Sequence, residues 1–530
     1  MSNVVLIGFM GCGKSSVGAL LAQRLGWPFK DLDEEITGAA GRSVAAIFEA
    51  EGEAGFRRRE ADCLNRVLAN DGQVVAVGGG APLDDSNWRR IRDGNWVVAL
   101  TAEPAELATR LNGATSRPLL EPDAWTAIAT LLPKRVHRYL EADMVIATDH
   151  RSAGSVAEQL AGRLPAEGVE RVQVNVPGAG HEIVIGRGLA HLVGPALRRS
   201  GAGNTVVLVT DPNVGRAHAD HVLEALRPSG FTPALFTVPV GEAAKQMDEL
   251  ARLYEDLAAL RLARDGALIA LGGGAVGDLT GFAAATWLRG IRYVQIPTTL
   301  LAMVDSSIGG KTAINLPSGK NLVGAVHQPA AIFCDLEYLT TLPEAEFRSG
   351  MAEVCKAAII ADPVFADWLG ASAARLQSRD RDAIREAVRR AAAIKAVVVS
   401  EDPTEGGRRA ILNYGHTIGH ALERALGYGT IRHGEAVAWG MEAAAQLSVI
   451  TGRCGPGLPE QQWALLRAYG LLETSPKVSR QDLLDAMEHD KKSRNGFVRW
   501  VLLRAFGDPE WGCQVDAEHM TAALDKVFES

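Results

Sequence analysis

VVLIGFMGCGKSSVGALL, residues 4–21, runs from four apolar residues into a glycine-rich turn and then into a stretch with helical spacing of its apolar positions. Within it, Gly8 to Ser15 satisfies G-x-x-x-x-G-K-[ST] in the context that gives the pattern meaning, after a strand and at the start of a helix. Glycines at such a turn let successive backbone N–H groups point at phosphate oxygens. The lysine adds a point charge at the β- and γ-phosphates, and the hydroxyl that follows can hold Mg²⁺. Gly11, Cys12, Gly13, Lys14, Ser15 and Ser16 are therefore the candidate contacts to ATP and its Mg²⁺, with Lys14 in a catalytic role and Ser15 on the metal. The stretch predicts a parallel sheet covered by helices and a first domain that transfers a phosphoryl group.

Working outward, strand-like runs at 74–77 and 96–100 alternate with amphipathic stretches at 16–25 and 56–68, and a helix over about 153–164 closes the unit. Pro165-Ala-Glu-Gly168 interrupts the helical pattern just before a new apolar run at 172–176, which places a linker at 165–170. Strand runs at 205–210, 267–271 and 293–296 make residues 171–340 a second α/β unit, of dinucleotide-binding type. After Pro343 long Ala-rich amphipathic stretches (345–361, 380–400, 434–451) predict that 341–530 is all-helical, and this unit carries the candidate metal ligands Glu353, His416, His420 and His433. The similar runs VAVGGGAP (75–82) and IALGGGAVGD (269–278) are no repeat, because three glycines after a strand recur wherever backbone must approach a ligand.

Composition limits the function classes. A chain of 530 residues exceeds one hydrophobic core, and 47% hydrophobic against 22% charged residues is the balance of an ordinary globular protein. A net charge of -8 without a clustered basic face argues against nucleic acid as partner and leaves small anionic ligands open. Six scattered cysteines, with no CxxC, point to neither a disulfide scaffold nor a cysteine zinc site. The N-terminal apolar run is too short for a signal peptide and no stretch is long enough to span a membrane, so a cytoplasmic location is expected.

In the first domain Asp31-Leu-Asp33 places two carboxylates at the end of the second strand, where a metal or an acceptor hydroxyl would lie. Phe56-Arg57-Arg58-Arg59-Glu60 presents cations from a helix, Gly78-Gly79-Gly80 ends another strand, and Arg117-Pro118 sits in a loop able to close as a lid. Through GFMGCGKSS, DLDEEI, the FRR of GFRRRE, GGGAP, SRPLL and KRVHRY, residues 1–164 resemble shikimate kinase. The resemblance implies that Asp33, Arg57 and Arg135, with Gly79 and Gly80, hold shikimate, Asp33 lying against the hydroxyl that is phosphorylated. It further implies that Arg117 reaches the transferring phosphate, that Arg110 lies near adenine, and that Asp31 orders Mg²⁺ through water. The run after Lys134-Arg135 departs from the family's pattern, so Arg138 stands as the alternative to Arg135.

In the second unit Gly272 to Asp278 follows a strand and satisfies G-x-G-x-x-G, although its best ribose-binding acid, Asp211, precedes the glycines instead of following them. Pro239 to Lys245, including Glu242, and Pro297-Thr298-Thr299 add polar groups at strand ends. Asp305 to Thr312 and Lys320-Asn321 gather lysines in a glycine-rich loop, which suits an anionic substrate. Glu353 and Lys356 share one face of an apolar helix, and buried charges need partners. His416 and His420 stand i, i+4 and His433 follows; with Glu353 that makes four candidate metal ligands, among which spacing alone does not choose three.

Through GGGAVGDLTGF, WLRGIRYVQIPTTLLAMVDSSIGGKTAIN, GKNLVGAVHQP, GMAEVCKAAII, LNYGHTIGHALE, HGEAVAWGM and HDKK, residues 171–530 resemble 3-dehydroquinate synthase. The resemblance implies zinc, or cobalt in its place, on Glu353, His416 and His433, with His420 at the substrate. It implies substrate contacts at Arg289, Asp305, Lys311, Asn321, Lys356, Lys395, Arg409, Asn413, His420 and Lys491, with Lys311, Glu405 and His420 in catalytic roles. NAD would lie on Asp211, Asn213, Glu242, Lys245, Gly273, Gly274, Val276, Asp278, Thr298, Thr299, Leu301, Asp305, Ser306 and Lys320. Arg289 matches an arginine that the family donates into the neighbouring subunit's site, which implies a homodimer. The implied reaction takes 3-deoxy-D-arabino-heptulosonate 7-phosphate to 3-dehydroquinate and phosphate, with NAD used catalytically. A C–H proton that is not acidic beside an alcohol becomes so beside a ketone, and that permits loss of phosphate. The competing reading is a metal-dependent alcohol or polyol dehydrogenase; for the first domain it is a module without catalysis.

Overall fold

The computed structural model describes residues 3–111, 124–163, 169–493 and 498–528. Arg117 and residues 165–168 of the linker expected at 165–170 lie outside the described residues, as does the side chain of Lys491, and Glu170 already begins a strand. The chain packs as two compact units. One comprises Met1–Val169 with Gly188–Val206 and Asp220–Pro233; the other comprises Glu170–Arg187, Val207–Ala219 and Ala234–Ser530.

The first unit is built on strands β1 (Val4–Gly8), β2 (Phe29–Asp31), β3 (Val74–Ala76), β4 (Trp96–Thr101) and β5 (Met144–Ala147), in the spatial order β2-β3-β1-β4-β5. All neighbours are parallel, Val5 lying between Val75 and Val97. Buried on both faces, β1 reads as an unbroken apolar run instead of an alternating one. Because the strand order reverses on either side of β1, its carboxyl end opens onto the crevice where a ligand binds an open α/β sheet. Gly8 ends the strand at φ 140°, and a Cβ there would collide with the Leu100 carbonyl oxygen, so only glycine turns the chain at this point. The stretch expected at 56–68 forms part of a longer helix, Val44–Val67, broken where Gly52 takes φ 68°.

The larger sheet contains β6 (Glu170–Val174), β7 (His181–Gly186), β8 (Thr205–Thr210), β9 (Thr232–Thr237), β10 (Ala267–Gly272), β11 (Arg292–Pro297) and, later in the chain, Ala331–Asp335. Its order is β6-β7, then Ala331–Asp335, then β11-β10-β8-β9. Valines 207 and 209, Leu268, Ala270 and Tyr293 pack with Leu279, Phe282 and Ala283 of the helix Gly274–Thr286 into a dry core. That helix begins at the carboxyl end of β10, with Gly273 as N-cap and no side chain closing its first N–H groups. The lysine-rich segment expected as a loop forms an antiparallel hairpin, β12 (Lys311–Leu316) and β13 (Gly319–Val326). It lies on the helix where Gly281 leaves room: a Cβ there would strike the methyl of Thr312.

With the strand at Ala331–Asp335 counted as β14, the regular elements among the described residues that follow are helices, except for a hairpin of β15 (Trp500–Ala505) and β16 (Asp508–Cys513). This corrects the all-helical expectation for 341–530. The run Trp500-Val-Leu-Leu503 is buried throughout, and a buried strand of that length has no period to separate it from a helical turn. Helices Glu344–Ala361, His416–Ala425 and His433–Ile450 meet at close range. A Cβ at Gly434 would collide with the Ser349 carbonyl and one at Gly440 with the Gly415 carbonyl. These two glycines let three backbones approach, and the approach places Glu353, His416 and His433 side by side. All six cysteines are free, and among the described residues no helix is long and apolar enough to cross a membrane.

Candidate active sites

At the carboxyl end of β1, Gly11 and Gly13 take φ 83° and 93°, turning the loop around the start of the helix Lys14–Leu25. Lys14 Nζ donates to the carbonyls of Gly8 (2.9 Å) and Phe9 (3.1 Å), so the ammonium is held over the loop. Cys12 is buried beneath it, and Ser16 is exposed in the first turn. Ser15 Oγ donates to Asp31 Oδ2 at 2.6 Å, which sets a hydroxyl and a carboxylate together where Mg²⁺ would bind. Asp31 Oδ1 accepts from the Asp33 N–H at 3.0 Å, so Asp31 caps a helix while Asp33 stands exposed in its first turn.

The arginine run separates into different tasks. Arg59 pairs with Glu51 at 2.8 Å on the helix surface, whereas Arg57 points at the glycine turn, where a Cβ on Gly80 would sit 2.6 Å from its Nη2. Arg57 is held by Glu60 at 2.7 Å; burial pushes the Glu60 carboxyl up, and Arg57 opposes that shift. Arg135 is buried, its guanidinium carbon 5.4 Å from the Phe9 ring centroid, and a Cβ on Gly79 would lie 3.3 Å from its Nη1. Asp33, Arg57, Gly79, Gly80 and Arg135 therefore line one mouth. Arg138 is engaged elsewhere, with Asp85 (2.6 Å), Glu141 (3.1 Å) and the face of Trp88. Arg110 donates to the Thr148 carbonyl at 2.7 Å and to Gly11 O at 3.4 Å, on the outer side of the phosphate loop.

In the second unit the expected dinucleotide contacts collect at the carboxyl ends of the adjacent strands β8, β10 and β11. Asp211 ends β8 and accepts from the N–H groups of Asn213 (2.8 Å) and Val214 (3.2 Å). Next to it in the sheet, Gly272 ends β10, and Gly273, Gly274 and Val276 begin the uncapped helix; a Cβ on Gly274 would come within 2.8 Å of Ser306 Oγ. Thr298 and Thr299 follow β11, Thr299 Oγ1 accepting from Ala302 N at 3.2 Å just after Leu301. Lys245 Nζ bonds Asp278 at 2.6 Å and Asn321 at 2.5 Å, tying the β12–β13 hairpin to the helix that follows the glycine turn, and Glu242 accepts from Asn315 of the hairpin at 2.7 Å. Burial pushes the Asp278 carboxyl up to about 6 although Lys245 opposes it.

The substrate-type cations face the same space. Lys311 pairs with Glu405, whose other oxygen accepts from Asn413 Nδ2 at 2.8 Å. Burial would raise Glu405, but its bonds from Lys311 and Asn413 hold it below the usual range. Glu405 sits at φ 61° and Asn321 at φ 55°, conformations that side chains other than glycine adopt at a cost. Arg409 is buried, donating to the carbonyls of Pro403 (2.7 Å) and Gly309 (3.1 Å). Lys395 donates to the Asp305 carbonyl at 2.7 Å and to its carboxylate; burial acts to raise Asp305, but Lys395 and Lys356 hold it well below the usual range.

Glu353 Oε1 lies 3.7 Å from His416 Nε2 and 3.8 Å from His433 Nε2, and the three atoms fall within 4.8 Å of one another. Glu353 is buried, Lys356 pairs with its Oε2, and its Oε1 accepts no hydrogen bond. A buried carboxylate oxygen between two imidazole nitrogens, with no donor of its own, fits a cation. His420, Glu423 and His433 form a second close group, but both Glu423 oxygens are already engaged, so the Glu353 group is the better ligand set. His420 stands beside it, its ring centroid 5.3 Å from that of His416. Burial, reinforced by Lys356, pushes the His416 imidazole well down, which keeps it neutral as a ligand must be. Arg289 is exposed in a turn where Leu288 (φ 49°) and Arg289 (φ 66°) are both left-handed.

The family models for the N-terminal and C-terminal parts of 3-dehydroquinate synthase match residues 235–349 and 350–493. The 3-dehydroquinate synthase of Pelobacter propionicus is 44% identical over 335 residues, covering 63% of this chain and 93% of that relative. The chain belongs to the 3-dehydroquinate synthase family. The shikimate kinase family model matches residues 10–165, so a kinase segment precedes the synthase segment in one polypeptide. Among solved structures, 2-deoxy-scyllo-inosose synthase complexed with carbaglucose-6-phosphate, NAD⁺ and Co²⁺ is 26% identical with a TM-score of 0.63, covering 68% of this chain and all 100% of its own. The 2-epi-5-epi-valiolone synthase of Streptomyces hygroscopicus, with NAD⁺ and Zn²⁺ bound, is 26% identical with a TM-score of 0.60 over 66% of this chain and 96% of its own.

Three residues at these sites lie within the quoted motifs, which give them no role of their own. Glu60 orients Arg57 from the same helix, and its i, i+3 spacing was the available signal. The Tyr414 carbonyl lies 3.2 Å from His416 Nδ1, a backbone contact that no sequence pattern carries. Glu423 lies 3.1 Å from His433 Nδ1 across two helices.

Proposed function

We propose that the chain catalyses two steps of aromatic biosynthesis at separate sites. Its first part phosphorylates shikimate from ATP with Mg²⁺. Its second converts 3-deoxy-D-arabino-heptulosonate 7-phosphate to 3-dehydroquinate and phosphate, with NAD and zinc or cobalt. The observation that carries the second assignment is the buried Glu353 oxygen facing the two imidazole nitrogens, within one unit with the Lys311, Lys356, Lys395 and Arg409 cations. Identity to 3-dehydroquinate synthases at 44% over 93% of a relative favours this substrate over those of the 26%-identical cyclases and over net alcohol oxidation.

In the kinase part, Lys14 and the loop N–H groups hold the β- and γ-phosphates, and Ser15 with Asp31 holds Mg²⁺. Arg57, Arg135 and the Gly79–Gly80 turn hold shikimate so that its hydroxyl meets Asp33, which orients it and accepts its proton. Arg117 neutralises charge on the transferring phosphate. Catalysis here is positioning and charge stabilisation along an in-line path.

In the synthase part, NAD supplies reversible removal of hydride and the metal supplies Lewis acidity when they are bound. The uncapped N–H groups at Gly273–Gly274 cradle the pyrophosphate, and Asp211 and Asp278 take the ribose side. Lys311, Lys356, Asn321 and Arg409, with Arg289 from a second copy and Lys491, bind the phosphate and carboxylate of the substrate. Glu405 and His420 order water and move protons, and Asp305 with Lys395 fixes the hydroxyl groups. The assembly is a homodimer through the synthase part.

Two assays on the purified full chain and a Lys14→Met variant test the reading. The variant is expected to lose at least about 100-fold of shikimate-dependent ADP formation, the range for removing a group that stabilises transition-state charge. It should release phosphate from the heptulosonate phosphate at the wild-type rate. Loss of both activities together would show that the sites are not separate.

A further inference from the structure

A ligand imidazole serves a metal only if its second nitrogen is held, since that bond sets both the tautomer and the plane of the ring. His416 is held by the Tyr414 carbonyl, and that tyrosine is anchored through its hydroxyl to Gln462 at 2.8 Å. His433 is the first residue of its helix and follows a loop. Its Nδ1 instead meets the Glu423 carboxylate, Oε2 at 3.1 Å, from the neighbouring helix His416–Ala425. We propose that Glu423 is a positioning residue for the metal centre: it accepts the Nδ1–H of His433 and so turns Nε2 toward Glu353 and the cation.

Three further observations bear on this. Glu423 is 7% exposed, and a carboxylate that deep is retained as an anion only where partners compensate its lost hydration. Its other oxygen, Oε1, lies 3.4 Å from Lys320 Nζ, and that ammonium rests 4.3 Å over the Tyr428 ring. Glu423 therefore bridges a residue of the β12–β13 hairpin and a residue at the metal, with each oxygen directed at one of them. The bridge also keeps Glu423 from ligating the metal itself, since both oxygens are occupied.

The inference rests on the functional reading above, and its test is made on metal uptake alone, without NAD or substrate. The metal-free full chain is titrated with Zn²⁺ in competition with a chromophoric chelator, and with Co²⁺ followed by its visible absorption. Wild type should bind one ion at this centre and Glu353→Gln should lose it; a wild type that takes up no ion there overturns the functional reading itself. Glu423→Ala should still bind one ion, roughly 10- to 100-fold more weakly, as expected for losing an outer partner of a ligand histidine. Its Co²⁺ absorption maximum should stay in place because the three ligands remain. Glu423→Gln keeps the shape and an acceptor oxygen and should fall between the two; it carries the test alone if the alanine variant does not fold. Wild-type affinity in both variants overturns the inference. So does complete loss of binding like that of Glu353→Gln, which would make Glu423 a ligand. A lower melting temperature of the metal-free protein with unchanged zinc affinity also overturns it, because packing would then be the only role.

Discussion

At the scale of single residues, the structure separates side chains that look equivalent in sequence. Arg135 and Arg138 lie one turn apart, and the run around them departs from the kinase pattern, so sequence leaves the shikimate-binding arginine open. Tertiary partners distinguish them. Arg138 is consumed by Asp85, Glu141 and Trp88, whereas Arg135 faces the Gly79 turn, makes no close ion pair among the described residues and feels the Glu60 carboxylate only through space. Truncating one member of a buried charge pair costs on the order of 2–5 kcal/mol. Arg135→Ala should therefore raise the KM for shikimate by on the order of 100-fold, while the KM for ATP changes little. Arg138→Ala should leave the shikimate KM within about 3-fold and lower the melting temperature instead, as loss of a packed cation and its pairs does. Steady-state kinetics on both variants decide it, and the opposite pattern would move the assignment to Arg138. Lys14 and Ser15 were legible because one glycine-rich loop carries both, and Asp31 because it closes the strand that follows. Glu423 was not, because its partner His433 is set by a helix crossing that no local pattern encodes.

Among elements, the helix His433–Ile450 combines the closest packing with a buried acid. Gly434 and Gly440 give it access to its neighbours, and directly after the turn Ala438-Trp-Gly-Met441 the side chain of Glu442 is only 4% exposed. Its Oε1 accepts from Gln446 at 2.9 Å, but its Oε2 is buried and accepts no hydrogen bond of normal geometry among the described residues. Burial raises the Glu442 carboxyl above its ordinary value, and Gln446 and Gln462 only partly oppose it. A carboxyl whose folded value is raised binds its proton more tightly folded than unfolded. Its contribution is thus fully present below the unfolded value and is lost as pH rises through the folded one. Glu442→Gln cannot ionise and escapes that loss. The melting temperature of the variant minus that of wild type should grow between about pH 4 and pH 8 by roughly 2–4 °C, the shift that about 1 kcal/mol produces in a domain of this size. Thermal melts across that range check it, and a gap that does not change with pH would mean that the folded Glu442 carboxyl binds its proton no more tightly than the unfolded one. Long amphipathic helices such as this one were legible from period alone. The two hairpins were not: β15 is a short run buried on both faces, and β12–β13 carries lysines and glycines that read as loop until Gly281 is seen to give it a helix to lie on.

For the whole molecule, the described residues proposed for the kinase fall in the first compact unit and those proposed for the synthase in the second, which is why separate loss of activities is expected. One proposed residue does not fit that enclosure. Arg289 is exposed, and it and Leu288 adopt successive left-handed conformations that cost non-glycine residues of order 1–3 kcal/mol each. Strain of that kind persists where the surroundings impose it, and a residue reaching into a second copy's site would account for it. Subunit mixing distinguishes this from a role in its own site. An Arg289→Ala chain retains Glu353 but donates no arginine; a Glu353→Gln chain donates Arg289 but holds no metal. In a dimer of one of each, the site of the Arg289→Ala chain receives the arginine it needs and is complete, while the other site is not. Random exchange makes half the dimers mixed, so about a quarter of all sites, and about a quarter of wild-type synthase activity, should return from two nearly inactive proteins. Shikimate kinase activity should be unchanged in both variants and in the mixture, serving as the internal measure of folded chain. If Arg289 acts within its own subunit, no site in any dimer is complete and mixing restores nothing.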